Sequence, residues 1–402
     1  MQKINGPRYR WYILGLTMAT YGLITGSARL CMPVLFKQIS DDLGLSVVAI
    51  GTIWGMDPLA GVFIGLPGGL LADRFGVRRM LFVACILAGV FGAMRGLSVN
   101  FFTMALAMFL FGITVAATPS IVPKVTTQWF GGKQLGLTNA LLNVAWGAGA
   151  MIATMFSATV FSPWLGGWRN VLFLYGAPPV LLGILWWFTG REPGKSELPG
   201  SELGVVPFRR AFSHVIRSKM VWLIGIINMT LWGASTGYIG YLPLYLRNIG
   251  WTPASADSAI TVLMGVSTLG VIPMVLLAGR TSQKGVLLFS FAMLALSIAL
   301  LPAVDTSGVW LLVVAGGFLR SGTFPILNVM VFETKEIGST YAGTAIGLTS
   351  SIGMLGAFIS PPLGNNLASF SQGMPLVFWG GLAALAMPFL LLLPSNRRQL
   401  TG

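Results

Sequence analysis

Twelve stretches of mostly apolar residues run through this chain, near 11–36, 47–72, 80–98, 101–122, 135–160, 168–189, 219–246, 254–279, 285–302, 307–332, 340–366 and 373–394. A helix needs about 20 such residues to cross the hydrocarbon core of a bilayer. Only 9% of the 402 residues are charged and 55% are hydrophobic, whereas a soluble domain carries about 25% charged residues to face water. Backbone polar groups in lipid must be satisfied within the segment or a closed barrel. The alternating pattern of a barrel is absent, and runs such as Leu390, Leu391, Leu392 and Leu393 fit helices. The expected fold class is an all-α membrane protein with twelve transmembrane helices. A soluble enzyme core and a disulfide scaffold are excluded.

The formal net charge of +14 is mainly a topology signal. Of the 25 lysines and arginines, Lys37, Arg95, Arg169 and Arg247 fall on one side of the expected membrane, and Arg29 and Arg320 fall inside spans. All the others share the side that holds both termini. Positive residues collect on the cytoplasmic face, so both termini are expected there, in a plasma (inner) membrane. The charges are too scattered for a nucleic-acid surface. Cys31 and Cys85 lie in apolar segments and imply neither a disulfide nor a metal site. No cofactor is expected. His214, in a basic polar stretch, reads as solvated.

The longest polar stretch divides the chain into a six-helix bundle over 1–189, a linker over 190–218 and a second bundle over 219–402. The linker ends in the amphipathic Pro207, Phe208, Arg209, Arg210, Ala211 and Phe212. The halves also echo each other. Thr20, Pro33 and Ile39 recur as Thr230, Pro243 and Ile249, and Gly136, Leu141, Gly149 and Ala150 recur as Gly343, Leu348, Gly356 and Ala357. Transporters are commonly built from such repeats, with the substrate held between them near the midplane.

Between the second and third spans the chain reads Gly69, Leu70, Leu71, Ala72, Asp73, Arg74, Phe75, Gly76, Val77, Arg78, Arg79, Met80, Leu81. This resembles the loop signature of the major facilitator superfamily, departing only at Val77. The resemblance implies two pseudosymmetric six-helix bundles that alternate access by rocking, and no enzymatic step. It implies that Asp73, with Arg74 and Arg78, forms a cytoplasmic charge latch, and that Gly69 and Gly76 permit close helix approach and a tight turn. The second half keeps only Gly279, Arg280, Lys284 and Gly285, without the acid. Gly147, Ala148 and Gly149 are followed by Ala150 where antiporters of the superfamily carry proline, which weighs against drug/proton exchange.

Cargo must be read from polar residues inside the spans. A charge at mid-helix costs about 2.5–3.5 kcal/mol on insertion scales, so such residues usually face a cavity or a partner. Arg29, Asp57 and Arg320 stand out. Tyr21, Thr25 and Arg29 recur at helical spacing, and Arg320 is followed by Thr323, Phe324 and Asn328 along its span. In the superfamily, the first helix of each three-helix unit lines the central cavity, which implies that both arginines enter one polar chamber. Arg29, the start Arg8, Tyr9, Arg10, Trp11 and the stretch Asp42, Leu43, Gly44, Leu45, Ser46 also resemble the anion:cation symporters and the neighbouring organic-anion, nitrate/nitrite and cyanate carriers.

The guanidinium fork suits carboxylates and other oxyanions. Arg29 either contacts such an anion or pairs with Asp57, and Arg95 is a second possible partner for Asp57. The span of Arg320 holds no acid short of Glu333. Thr114, Thr118, Asn143, Trp146, Asn228, Trp232 and Ser235 are further candidates for the chamber lining. Asp57 stands out as the clear intramembrane acid and the candidate for coupling. Three coupling modes stay open: a proton carried by Asp57, entry of an already protonated anion, or anion exchange. The expected activity is secondary transport of a small anion, a mono- or dicarboxylate before an inorganic oxyanion, by a monomer surrounded by lipid. Efflux of hydrophobic drugs or lipids is the alternative within transport, and a non-transporting membrane sensor is the alternative outside it.

Overall fold

The computed structural model describes residues 7–191, 208–334 and 336–393. Among the described residues every regular element is helical, and ten helices are long and apolar enough to cross a membrane. The first expected span is interrupted: α1 (Pro7–Tyr21) passes into a π-helical stretch, Gly22–Ala28, before α2 (Met32–Leu43). There follow α3 (Val47–Phe75), α4 (Val77–Met94), α5 (Phe101–Trp129), α6 (Lys133–Phe156), the short α7 (Ser162–Leu165) and α8 (Trp168–Thr189). Beyond the linker come α9 (Phe208–Val215), α10 (Lys219–Asn248), α11 (Pro253–Arg280), α12 (Gln283–Ala299), α13 (Thr306–Phe332), α14 (Gly338–Asn366), α15 (Met374–Ala384) and α16 (Ala386–Leu392). The expected span at 285–302 is the 17-residue α12, shorter than the ten membrane-length helices. Most of the linker, 192–207, lies outside the described residues.

The described residues form two compact units. One takes Met1–Leu203 with Gly240–Thr261, the other Gly204–Ile239 with Val262–Gly402. Both α10 and α11 therefore contribute one end to each unit.

Within the first unit the π-helical stretch packs on α6 at backbone distance. A side chain at Gly149 would come within 2.2 Å of the Gly22 carbonyl, and one at Gly26 within 2.6 Å of the Trp146 carbonyl. Lipid supplies no hydrophobic force between helices, so small residues that admit such approach carry the association. The Ser27 hydroxyl adds a hydrogen bond to the Gly149 carbonyl at 2.9 Å. In the second unit the repeat counterpart of Gly149 does the same work: a side chain at Gly356 would come within 2.0 Å of the Met229 carbonyl on α10. Gly149 and Gly356, one of the pairs read as equivalent in the sequence, thus have equivalent packing roles.

The basic residues of the two loop motifs also correspond. Arg78 donates to the Trp187 carbonyl at the end of α8 and lies 5.8 Å from the Trp187 ring. Lys284 donates to the carbonyls of Leu391 and Leu393 at the end of α16, at 2.8 and 2.9 Å. A helix C-terminus presents unsatisfied carbonyls and partial negative charge, and a cation there contributes about 0.3–1 kcal/mol. The linker-end helix α9 is held to α14: the His214 ring stacks on Tyr341 at 4.4 Å and donates to the Glu336 carbonyl at 2.8 Å. His214 is solvent-exposed, as its setting suggests, yet it is also a contact.

Candidate functional site

In the first unit, Arg29 closes the π-helical stretch and its guanidinium pairs with Asp57 on α3. Asp57 is 3% exposed. Trp54, one turn earlier on α3, presents its ring 5.6 Å from the Arg29 guanidinium carbon. A planar cation is thus held between a carboxylate and an aromatic face, both of which stabilise it. Asp57 in turn sits against Gly112 of α5, where a side chain would come within 2.6 Å of the Asp57 Cα. Of the two partners that depth allows for Asp57, the nearer is Arg29.

Arg95 goes elsewhere. It is fully buried and donates to the carbonyls of Ala28 at 2.9 Å and Gly92 at 3.0 Å, with its guanidinium carbon 4.0 Å above the centre of the Phe111 ring. Arg95 thus meets the carbonyl that immediately precedes Arg29, at the end of the π-helical stretch. Thr25 is buried and donates to the Tyr21 carbonyl at 2.5 Å, whereas Tyr21 and Arg29 stay half-buried. Thr114 and Thr118 are buried and bond along their own helix, to the carbonyls of Phe111 and Thr114. Asn143 is exposed and bonds to the Asn139 carbonyl of its own helix, and Trp146 is half-buried.

In the second unit, Arg320 on α13 donates from Nη2 to the Ser267 hydroxyl of α11 at 3.3 Å. Ser267 is fully buried and spends its own proton on the Gly317 carbonyl at 2.9 Å, which turns its lone pairs toward Arg320. Tyr238 of α10 also lies within electrostatic reach of Arg320. One turn along α13, Phe324 meets Trp232 of α10 with ring centres 5.2 Å apart. One turn before Trp232 on α10 lies Asn228, 1% exposed, with neither amide atom hydrogen-bonded. Asn228 and Trp232 both border Gly353 of α14. Arg320, Phe324, Trp232 and Asn228 are therefore drawn together by α10, α13 and α14. Ser235 and Asn328 are half-buried on the same two helices.

Of the latch residues, Gly69 and Asp73 fall on α3 but their side chains lie outside the described residues. Arg74 is exposed beside Phe75, and Gly76 has φ +84°, a conformation that favours glycine, in the turn between α3 and α4.

The sequence reading missed several contributors. Trp54 could have been found, since it lies three residues before Asp57 and so on the same helix face. Tyr238 shares a helix with named candidates. Ser267 carries no signal. The account of intramembrane acids needs correction: Asp257, early in α11, is fully buried and pairs with Arg247 at 2.5 Å.

The family model described as Major Facilitator Superfamily matches residues 17–361. The chain is 24% identical to the probable galactarate/D-glucarate transporter of Bacillus subtilis (strain 168), over 96% of this chain and 93% of that one. It is also 24% identical to the gallate transporter of Pseudomonas putida, over 97% of this chain and 93% of that one. Among solved structures, a bacterial homologue of the human lysosomal transporter Spinster has the same fold, with a TM-score of 0.77 at 16% identity, covering 96% of both chains.

Proposed function

The chain belongs to the Major Facilitator Superfamily, and from that premise we propose that it is a secondary transporter carrying a small organic anion, a mono- or dicarboxylate, by alternating access. It makes and breaks no covalent bond. Two of its relatives are named for the carboxylates they carry, galactarate or D-glucarate and gallate.

The observation that carries the reading is the setting of Arg320. An arginine inside a membrane-spanning helix marks a substrate path or an internal partner. This one is oriented by a buried hydroxyl and lies one turn from Phe324, whose ring partner Trp232 is in turn one turn from the buried amide of Asn228. A carboxylate would engage the fork of Arg320, the carbon skeleton would lie against Trp232 and Phe324, and a hydroxyl or carbonyl of the substrate would satisfy Asn228. Arg29, neutralised by Asp57, fits a positioning role rather than direct anion contact. The protein would reside as a monomer in the plasma (inner) membrane, bathed by lipid, with both termini in the cytoplasm.

The test is counterflow in proteoliposomes with radiolabelled gallate, D-glucarate and nitrate, with ethidium as the cationic control. A carboxylate should exchange. Arg320→Ala should lower its rate at least tenfold, about 1.4 kcal/mol, while the purified protein keeps a cooperative melt. Undiminished transport by the variant, or movement of ethidium alone, would remove the anion assignment.

A further inference from the structure

Outside the Arg320 cluster, the described residues hold a buried acid with no part in the proposed anion site. Asp257 is fully buried in the first turns of α11. Its Oδ1 accepts from Arg247 Nη2 at 2.5 Å, and its Oδ2 has no hydrogen bond among the described residues. Arg247, near the end of α10, keeps its side chain 9% exposed and reaches in a second direction: its Nη1 donates to the Val34 carbonyl of α2 at 2.9 Å. One guanidinium therefore ties the carboxylate of one helix to the backbone of another.

The two residues flank the turn of the hairpin Gly240–Thr261, the segment of α10 and α11 that groups with the first unit. Other contacts dock the same hairpin. Thr154 and Thr261 share a hydrogen bond at 2.9 Å, Ser258 lies 3.7 Å from the Met155 sulfur, and a side chain at Gly240 would come within 2.7 Å of the Trp54 ring. These are neutral contacts. The charged contact is the Arg247 link, and its strength depends on Asp257 being ionised. A buried cation stripped of its counterion is strongly unfavourable, so neutralising Asp257 would drive Arg247 toward solvent and break its bond to Val34.

We propose that Asp257 is a proton-binding site that controls the docking of this hairpin. A proton delivered by water during a transient opening binds the carboxylate, the ion pair is lost, Arg247 releases Val34, and the hairpin undocks. Loss of the proton restores the pair. Arg247 is the charged group acting on Asp257. Other titratable groups on the surrounding elements are engaged with one another: Tyr241 with Tyr245, Lys37 with Asp41, Asp42 with Arg169, and Arg29 with Asp57. As a means of coupling protons to anion movement the site rests on the transport reading. As a proton switch it stands without it.

The experiment is hydrogen exchange by mass spectrometry on the full chain in lipid nanodiscs, with the proton as the only ligand. After correction for the intrinsic exchange rate, protection of the hairpin amides should fall about tenfold or more between about pH 8 and about pH 5. Asp257→Asn should abolish that dependence. Because that variant leaves Arg247 without its counterion, the charge-free Arg247→Gln/Asp257→Asn protein supplies the decisive arm, and its hairpin should exchange at one rate across the range. A double variant that keeps the wild-type response, or a wild type with none, overturns the proposal. A wild-type response in a protein that moves none of the tested anions would support the switch and count against the transport reading alone.

Discussion

Arg29, half-buried, and Asp57, buried, show how an ion pair constrains its own mutants. Removing one partner leaves the other charge without compensation and costs about 3–5 kcal/mol, whereas replacing both by neutral groups of similar size is often nearly free. Arg29→Ala should therefore lower the apparent melting temperature of the purified protein sharply, and Arg29→Met/Asp57→Asn should recover most of the loss. Equal damage in single and double variants would show that the charge balance is not what matters there. At this scale the sequence was informative where side chain meets side chain. Counting residues along two helices put Asp57 level with Arg29, and helical spacing along α13 put Phe324 beside Arg320. It was silent where side chain meets backbone. Arg95 is held on the Ala28 carbonyl, and nothing in a residue count announces which carbonyl a buried guanidinium will meet. Asp257 was overlooked because it lies near the start of an expected span, and its burial is visible only once the hairpin is seen packed on the first unit.

Among elements, the closest approaches fall on glycines, and they separate substitutions that look alike in sequence. Gly136 and Gly149 both lie on α6, but a side chain at Gly136 would meet nothing within 4 Å while one at Gly149 would strike the Gly22 carbonyl. Gly149→Val should force the π-helical stretch away from α6 and destabilise the protein by several kcal/mol, in the upper range for single substitutions. Gly136→Ala should be silent or gain about 0.5–1 kcal/mol from better helix propensity. The same contrast is expected between Gly356→Val and Gly343→Ala in the second unit, and thermal melts of the four variants in detergent decide it. The repeat visible in the sequence identified these residues as counterparts. What it could not reveal is which of them touch, because contact depends on how the two helices face each other.

For the whole molecule, apolar run lengths located the spans well because lipid leaves the backbone few choices. The exceptions are physical: α12 is shorter than its expected run, and the first run is broken internally. The distribution of lysine and arginine leads to a separate expectation, that both termini face the cytoplasm. Fluorescent-protein fusions at either end should glow and alkaline-phosphatase fusions there should stay inactive; the reverse pattern would invert the orientation. The break in the first run also has a genealogical consequence. A π stretch holds more residues per turn than the helix around it, so this chain accommodates a surplus amino acid between Tyr21 and Arg29 without shifting the phase of either flank. Length variation that would scramble a straight membrane helix can be absorbed here as a local swelling, which makes this one point in the first half where insertions and deletions could accumulate during descent.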